Sequence, residues 1–431
     1  MNVLKKLSLL ESKFNVINVF KYKNTTSWIN IKNYIYYKSL NSAVKNPIQN
    51  SSNFLSFKGI ELFFSSLIFY FSYLFNRKSK DIFFGAGSGL FKFNDSIYDS
   101  YLPKEIKNSE IIYMLSADFP ENLCKYKTYL KRKKVVIYSF LIAPFKIILT
   151  KIFKNLIKLD IDEYLLNEIE KLGINKNELE YIHAKFIVTY WIYKIFLLPL
   201  KIKKAYVVSA YTNTELISVL KEKNIEIIEI QHGLIGTTHR GYNYAVKSNI
   251  LPTPNKVYVY DNFWKQELIN AGYYSDEQIK VDGRLKYELI DKNLKIFDFD
   301  FFVFTGQGGF FDEIAKFMND SIEYLKDKNL KLLYIPHPNE SEKDLNYLKS
   351  QIKNFDNILI LDSQSKKYTT EQYIYNCIAH ISVYSSCHFD AIFFKNKTFI
   401  YDVMSENPIQ YFIKNFPKLF IPIKSLKEIY D

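Results

Sequence analysis

Residues 205–233 read AYVVSAYTNTELISVLKEKNIEIIEIQHG. AYVVSA (205–210) is a strand-like apolar run, NTELISVLKEKN (213–224) an amphipathic helix, and IEIIEI (225–230) a second strand. Thr212 or Asn213 is placed to cap the helix and Asn224 to stop it. Two strands separated by one such helix imply a parallel crossover. The second strand then ends abruptly in Gln231-His232-Gly233, and THRGY follows, so that two of the chain's six histidines, His232 and His239, lie seven residues apart.

The same alternation extends both ways. Upstream, DIFF ends in GAGSG (85–89), EIIYML (110–115) follows, and KKVVIYSF (133–140) comes next. Residues from about 142 to 199 read as helix and include the acidic, amphipathic IDEYLLNEIEKLG. Downstream, KVYVYD and QIKVDGR are short strands around one helix, and 284–298 reads as a linker. A second series then starts with DFFVFTG, the loop GQGGFFDE and the helix EIAKFMNDSIEYLKDK. LKLLYIPHP and NILIL are strands, TTEQYIYNC a helix, AHISVYSS a strand, CHFDAIFFK a helix and KTFIYDV the last strand. The first fifty residues show no clear periodicity. The expected architecture is α/β: two Rossmann-like doubly wound domains facing across a cleft, with extra N-terminal helices. Residues 1–285 form one domain, with its apolar helices, and 298–431 the other.

Composition bounds the function. A chain of 431 residues with 48% hydrophobic content supports two globular cores, not disorder. Cys124, Cys377 and Cys387 are scattered without metal spacing, and an odd number argues against a disulfide scaffold and for a reducing compartment. The net charge of +13 is carried almost wholly by lysine, with Arg77, Arg132, Arg240 and Arg284 the only arginines. A solvated lysine surface accounts for most of it; attraction to nucleotide phosphates or to an anionic membrane is the sharper reading. No zinc finger, basic-region heptad or aromatic RNA-binding signature accompanies the charge, so nucleic acid is not an expected partner. The N-terminus lacks a convincing secretory signal. GIELFFSSLIFYFSYLF (59–75) is short for a span and contains Glu61. It and the basic apolar stretches VVIYSFLIAPFKIILTKIFKNLIK and FIVTYWIYKIFLLPLKIKK read equally well as core helices or as interfacial ones.

Ligands of open parallel sheets bind beyond the carboxyl ends of the strands. The polar groups at those ends are GAGSG with Gly87, Gln231-His232-Gly233, GQGG with Gly306 and Gly308, His337-Pro338 and Ser385-Ser386. Hydroxyls and free N–H groups at the start of the helix after Ser385-Ser386 suit phosphate, though serine there is also an ordinary cap. His337 can donate to a phosphate or protonate one that leaves; a half-buried histidine bonded to a carbonyl is the plain alternative. Asp298-x-Asp300 and Asp160-x-Asp162 match the string used by metal-dependent transferases, but one precedes its strand and the other lies in helical text, and both read as solvated.

His337-Pro338 followed by Ser385-Ser386 resembles the HP and SS motifs of bacterial sialyltransferases and polysialyltransferases of the GT-B fold. It is also similar to the nucleotide site of the CDP-glycerol glycerophosphotransferases of teichoic-acid and capsule synthesis. The likeness is clearest from about 302 to 403. Where sialyltransferases carry an acidic pair before glycine, this chain has Gln231-His232-Gly233, closer to the His-Gly of the glycerophosphotransferases. The resemblance implies a glycosyltransferase of capsule or lipopolysaccharide synthesis using a CMP-activated sialic or related ulosonic acid, with a glycan acceptor. No cofactor is expected, and since both Asp-x-Asp strings read as solvated, transfer is expected without a metal, the helix dipole, His337 and cationic side chains taking that role. The resemblance gives the donor nucleotide and phosphate to His337, Pro338, Ser385 and Ser386, and GQGG, with Gly306 and Gly308, is expected to shape a tight turn beside that nucleotide. His232 is the expected general base, with Asp312 and Glu313 competing for that role. Gln231, Gly233, His239, Arg240 and Gly87 are expected at substrate, arginine being suited to a carboxylate. The rivals are a CDP-polyol phosphotransferase, a UDP-sugar transferase and a non-catalytic membrane-associated scaffold. A cytoplasmic location, extending to a peripheral seat on the inner membrane, follows.

Overall fold

The computed structural model describes residues 3–41, 57–75, 80–93, 96–106, 111–116, 123, 125–337, 340–361, 365, 367–404 and 409–429. The chain divides into two compact units, Met1–Leu285 and Lys286–Asp431. Residues 286–298, expected as a linker, belong to the second unit. There the Gln372 amide accepts from Asp291 N and donates to Asp291 O, both at 2.9 Å, and Lys286 pairs with the buried Glu371.

The first unit is built on a seven-stranded parallel sheet. Its strands are β1 (Lys80–Ala86), β2 (Ile111–Ser116), β3 (Val136–Ile137), β4 (Ile202–Val208), β5 (Glu226–Ile230), β6 (Lys256–Val259) and β7 (Ile279–Val281). They lie in the order β3-β2-β1-β4-β5-β6-β7, every neighbouring pair parallel. The second unit has β8 (Phe301–Thr305), β9 (Lys331–Ile335), β10 (Ile358–Ile360), β11 (Ala379–Ser382), β12 (Lys397–Tyr401) and β13 (Ile421–Ile423), ordered β10-β9-β8-β11-β12-β13 and again all parallel. Counted within each unit, both sheets begin 3-2-1-4-5-6. That is the Rossmann order, with its reversal between the first and fourth strands. Both units are therefore Rossmann-like.

Parallel strands are covered on both faces, and so they read as continuous apolar runs. Along β1, Ile82 and Phe84 enter one core cluster and Phe83 the opposite one. Along β8, Phe302 and Phe304 are separated in the same way from Phe301 and Val303. Four departures from the sequence reading have local causes. KKVVIYSF contributes only the two residues of β3, because the chain turns into helix at Tyr138. KTFIYDV is not the last strand, since β13 adds to the sheet edge beside β12. The helix after GQGG starts at Phe311, two residues early, because Gly308 (φ +75°) and Phe310 (φ +63°) turn the chain sharply. The first fifty residues hold α1 (Val3–Lys13) and α2 (Trp28–Asn41), whose Trp28, Ile31 and Ile35 are fully buried.

Of the further helices, α3 (Phe57–Leu74), α4 (Tyr138–Phe153) and α5 (Lys176–Leu197) cover one face of the first sheet. Helix α6 (Thr214–Glu222) joins β4 to β5; Asn213 stands at its N-cap position without a capping bond, and Asn224 (φ +54°) follows its end. The second unit uses α7 (Phe311–Asp327), α8 (Glu342–Gln351) and α9 (Cys387–Phe393). Among the described residues no helix is long and apolar enough to cross a membrane.

Candidate functional site

In the first unit the loop after β5 packs beside the turn after β4. The Tyr211 hydroxyl lies 3.4 Å from His232 Nε2, and its ring meets that of His239 edge-on at 4.8 Å. His239 Nδ1 accepts from Gly241 N at 3.1 Å, which leaves the proton on Nε2 in the neutral ring. Arg240 is only 6% exposed. Its guanidinium stacks on Tyr37 (4.1 Å), Tyr36 (4.8 Å) and Tyr211 (5.4 Å) and donates to the Tyr37 hydroxyl. Nε has no hydrogen-bond partner, and among the described residues no carboxylate pairs with this charge. A buried cation without a counter-charge is costly, and an anion supplied from outside would relieve it.

Burial, then the charge of Arg240, pulls the His232 imidazole down to about 4, and the same causes hold His239 well below the ordinary histidine range. Both rings are neutral near pH 7. His232 Nδ1 is buried and unpartnered. Beneath them Glu229 accepts from Tyr242 Oη at 2.7 Å and Ala210 N at 3.0 Å, and burial pushes its carboxyl up to about 7. Tyr37 and Tyr211 also line a cavity of about 540 Å³ with Asn30, Asn33, Lys146 and Glu215. Asn33 Oδ1 is buried there without a partner, and burial lowers the Lys146 ammonium. Amides, hydroxyls and charges of both signs around one cavity suit a polyhydroxylated ligand.

Not every expected residue is available. Gln231 is fully buried, its amide accepting from Tyr260 N and donating to Gly233 O, both at 2.9 Å; it splices β5 to the end of β6 and cannot reach a substrate. A Cβ on Gly233 would meet nothing within 4 Å, so the backbone there is open to approach. Gly87 sits after β1 at the sheet's reversal, but a Cβ there would lie 3.0 Å from Leu123 Cδ2; packing already explains that glycine.

In the second unit the expected groups gather on three adjacent strands: Gly306 and Gly308 after β8, His337 after β9, Ser385 and Ser386 after β11. Glu340, which the sequence reading missed, ties the loop after β8 to the loop after β9. Its carboxylate accepts from Gly308 N at 2.9 Å and from Tyr334 Oη at 2.9–3.0 Å, and its own N–H donates to His337 O at 2.9 Å. A Cβ on Gly306 would fall 2.2 Å from Glu340 Oε1. His337 is half-buried, and burial lowers its imidazole. Ser385 Oγ accepts from Cys387 N at 3.2 Å, so its hydroxyl is turned to the start of the helix, whereas Ser386, at the N-cap position, is exposed and makes no capping bond. Pro338 and Cys124 lie outside the described residues. Asp312 and Glu313 are exposed on the first turn of α7, where acidic side chains favour the helix dipole, and Asp312 accepts from Tyr347 at 2.6 Å. Asp162 caps a helix through Tyr164 N and Leu165 N, and Asp298 and Asp300 are exposed. Among the described residues no group of three or more His, Cys, Asp or Glu is placed to hold a metal ion.

The other three histidines are structural. His183 bonds Ser27 at 2.8 Å, His380 bridges Thr305 and Thr398, and His388 bonds Thr398 at 2.6 Å.

No protein-family model matches the sequence, and no curated protein matches it. Comparison with solved structures finds matches at low identity. The calicheamicin glycosyltransferase CalG4 is 8% identical, with 80% of this chain and 86% of that one covered at a TM-score of 0.45. The S. aureus MnaA–UDP structure is 13% identical over 81% and 86%, at 0.44. The wall teichoic acid polymerase TagF is 13% identical over 95% and 89%, at 0.41. At such values the fold assignment rests on the strand orders themselves.

Proposed function

We propose that the protein is a glycosyltransferase of surface-polysaccharide synthesis that moves a sugar from a nucleotide donor to a glycan hydroxyl without a metal ion. The second unit is its donor half and the first its acceptor half, as in GT-B enzymes. The observation that carries the reading is Arg240: a buried, uncompensated cation stacked on two tyrosines of a polar cavity, next to a neutral histidine at a strand end. Arginine there suits the carboxylate of an acidic sugar, which favours a CMP-linked sialic or other ulosonic acid. An anion against Arg240 also removes the second cause of His232's weak basicity. The imidazole then becomes a better acceptor for the hydroxyl proton. Backbone N–H groups near Gly308 and Ser385, with His337, take the departing phosphate.

A CDP-polyol phosphotransferase is the second reading. The histidine at residue 232, where an acidic pair would serve a sialyltransferase, favours it. Hydrolysis and transfer assays with CMP-sialate, CDP-glycerol and UDP-sugars separate the two. Turnover of CMP-sialate, lost in His232→Ala, is expected; turnover of CDP-glycerol alone selects the second reading, and turnover of UDP-sugars alone removes both. Retention of the cellular role by a folded His232→Ala, His337→Ala protein would instead mark a scaffold. We propose action at the cytoplasmic face of the membrane, where activated sugars are made; nucleic acid has no part in this reading.

A further inference from the structure

Three helices of the first unit turn large apolar side chains outward. On α3 the exposed residues are Ile60, Phe64, Ile68, Phe71 and Phe75, spaced by three or four along one stripe. On α4 and just beyond it, Phe145, Ile148, Ile152 and Leu156 form a second stripe, 56–73% exposed. Trp191, Ile195 and Leu198 form a third on α5. The helices are neighbours: α4 packs on both others, and Tyr70 of α3 stacks on Phe196 of α5 at 4.5 Å and donates to its carbonyl at 2.5 Å. Their inner sides cover the sheet through Leu141, Leu197 and Leu67. The outer apolar stripes are thus surplus to the core. Monomers rarely expose contiguous apolar patches beyond a few hundred Å².

We propose that this face seats the protein on an anionic lipid bilayer, with α3, α4 and α5 lying in the interface plane. Charge selects the occupant. Residues 138–158, YSFLIAPFKIILTKIFKNLIK, contain four lysines and no acidic residue; Lys146 lines the cavity and Lys158 pairs with Glu180, which leaves Lys151 and Lys154 to charge the face. Lys151 and Lys154 are exposed between the apolar side chains. Such a surface repels a second copy of itself and attracts acidic headgroups. Apolar side chains on one side with lysines at their flanks is the pattern of helices that lie in a membrane surface. None of the three is long and apolar enough to span.

Vesicle co-sedimentation of the full chain tests this, using phosphatidylcholine alone and phosphatidylcholine mixed with phosphatidylglycerol. Binding to the mixed vesicles, weakened by salt, is expected, with a blue shift from Trp191, since Trp28 and Trp264 are already buried. The variant Ile148→Glu, Ile152→Glu should bind at least ~10-fold less with an unchanged circular dichroism spectrum, because both side chains are solvent-exposed. A Lys151→Gln, Lys154→Gln protein should lose the preference for phosphatidylglycerol. Failure of the wild type to bind the mixed vesicles overturns the proposal. So does a concentration-dependent dimer that the double glutamate variant abolishes while vesicle binding persists.

Discussion

Arg240 shows how a side chain's surroundings carry more information than its identity. Its charge is buried against aromatic faces, worth roughly 0.5–2 kcal/mol each, yet among the described residues no carboxylate pairs with it, as one normally would with a structural arginine. Arg240→Met should therefore raise unfolding stability by about 1 kcal/mol while lowering kcat/KM by about 100-fold. Destabilisation by several kcal/mol in urea melts would show the arginine to be structural instead. Glu229 makes the opposite case. Its folded carboxyl, pushed up to about 7, keeps a proton that the unfolded chain has lost above about 4.5. Its contribution is thus complete below pH 4.5 and is lost as pH rises through 7. Relative to wild type, Glu229→Gln should gain up to about 3 kcal/mol between pH 5 and pH 8, read from urea midpoints. An equal offset at both pH values would remove the carboxyl as the cause. The sequence disclosed His232, His239 and Arg240 because they crowd one strand end. It hid Tyr37, Tyr211, Glu229 and Glu340, whose meaning comes from contacts with residues far along the chain or across a loop.

At the scale of elements, the strand-helix-strand rhythm was legible because each central strand is apolar on both faces and each crossover helix on one. The N-terminal helices were not, since their pattern makes sense only against what they hold. Buried Glu11 and Lys32 pair at 2.8 Å. Glu11 also accepts from Trp28 Nε1 and from Ala245 N, and Lys32 donates to Asn243 O at 2.5 Å. Together they clamp the segment that follows His239 and Arg240. Burial pulls the Lys32 ammonium down, against the pull of Glu11. Glu11→Ala should cost about 3–5 kcal/mol by leaving that lysine unpaired, measured by urea unfolding; a loss below 1 kcal/mol would mean that water reaches the pair. In the second unit Gly306→Ala should cost about 1–3 kcal/mol, because the new methyl would displace Glu340 from the loop it ties down. An unperturbed melt would show that Glu340 does not hold the loop as described.

For the molecule as a whole, histidines set the acid limit. Burial pulls His183 and His232 down to about 4 and His388 to about 3, against an unfolded value near 6.5. Below pH 6.5 the unfolded chain takes up protons that the native rings refuse, so stability falls as pH falls. At pH 5 each of these rings should have withdrawn about 2 kcal/mol. Two Rossmann-like sheets, each reversing between its first and fourth strands, place polar loops where such folds bind ligands. The proposed donor half can be tried without knowing the acceptor. Thermal unfolding of the wild type and of a His337→Ala, Ser385→Ala protein should be followed with CMP, CDP, UDP and GDP. A cytidine nucleotide at 100 times its Kd should stabilise the wild type by about 2.7 kcal/mol and leave the double variant unmoved. If no nucleotide raises the wild-type midpoint, or if the variant responds as strongly, the second unit is not a nucleotide site built on His337 and Ser385.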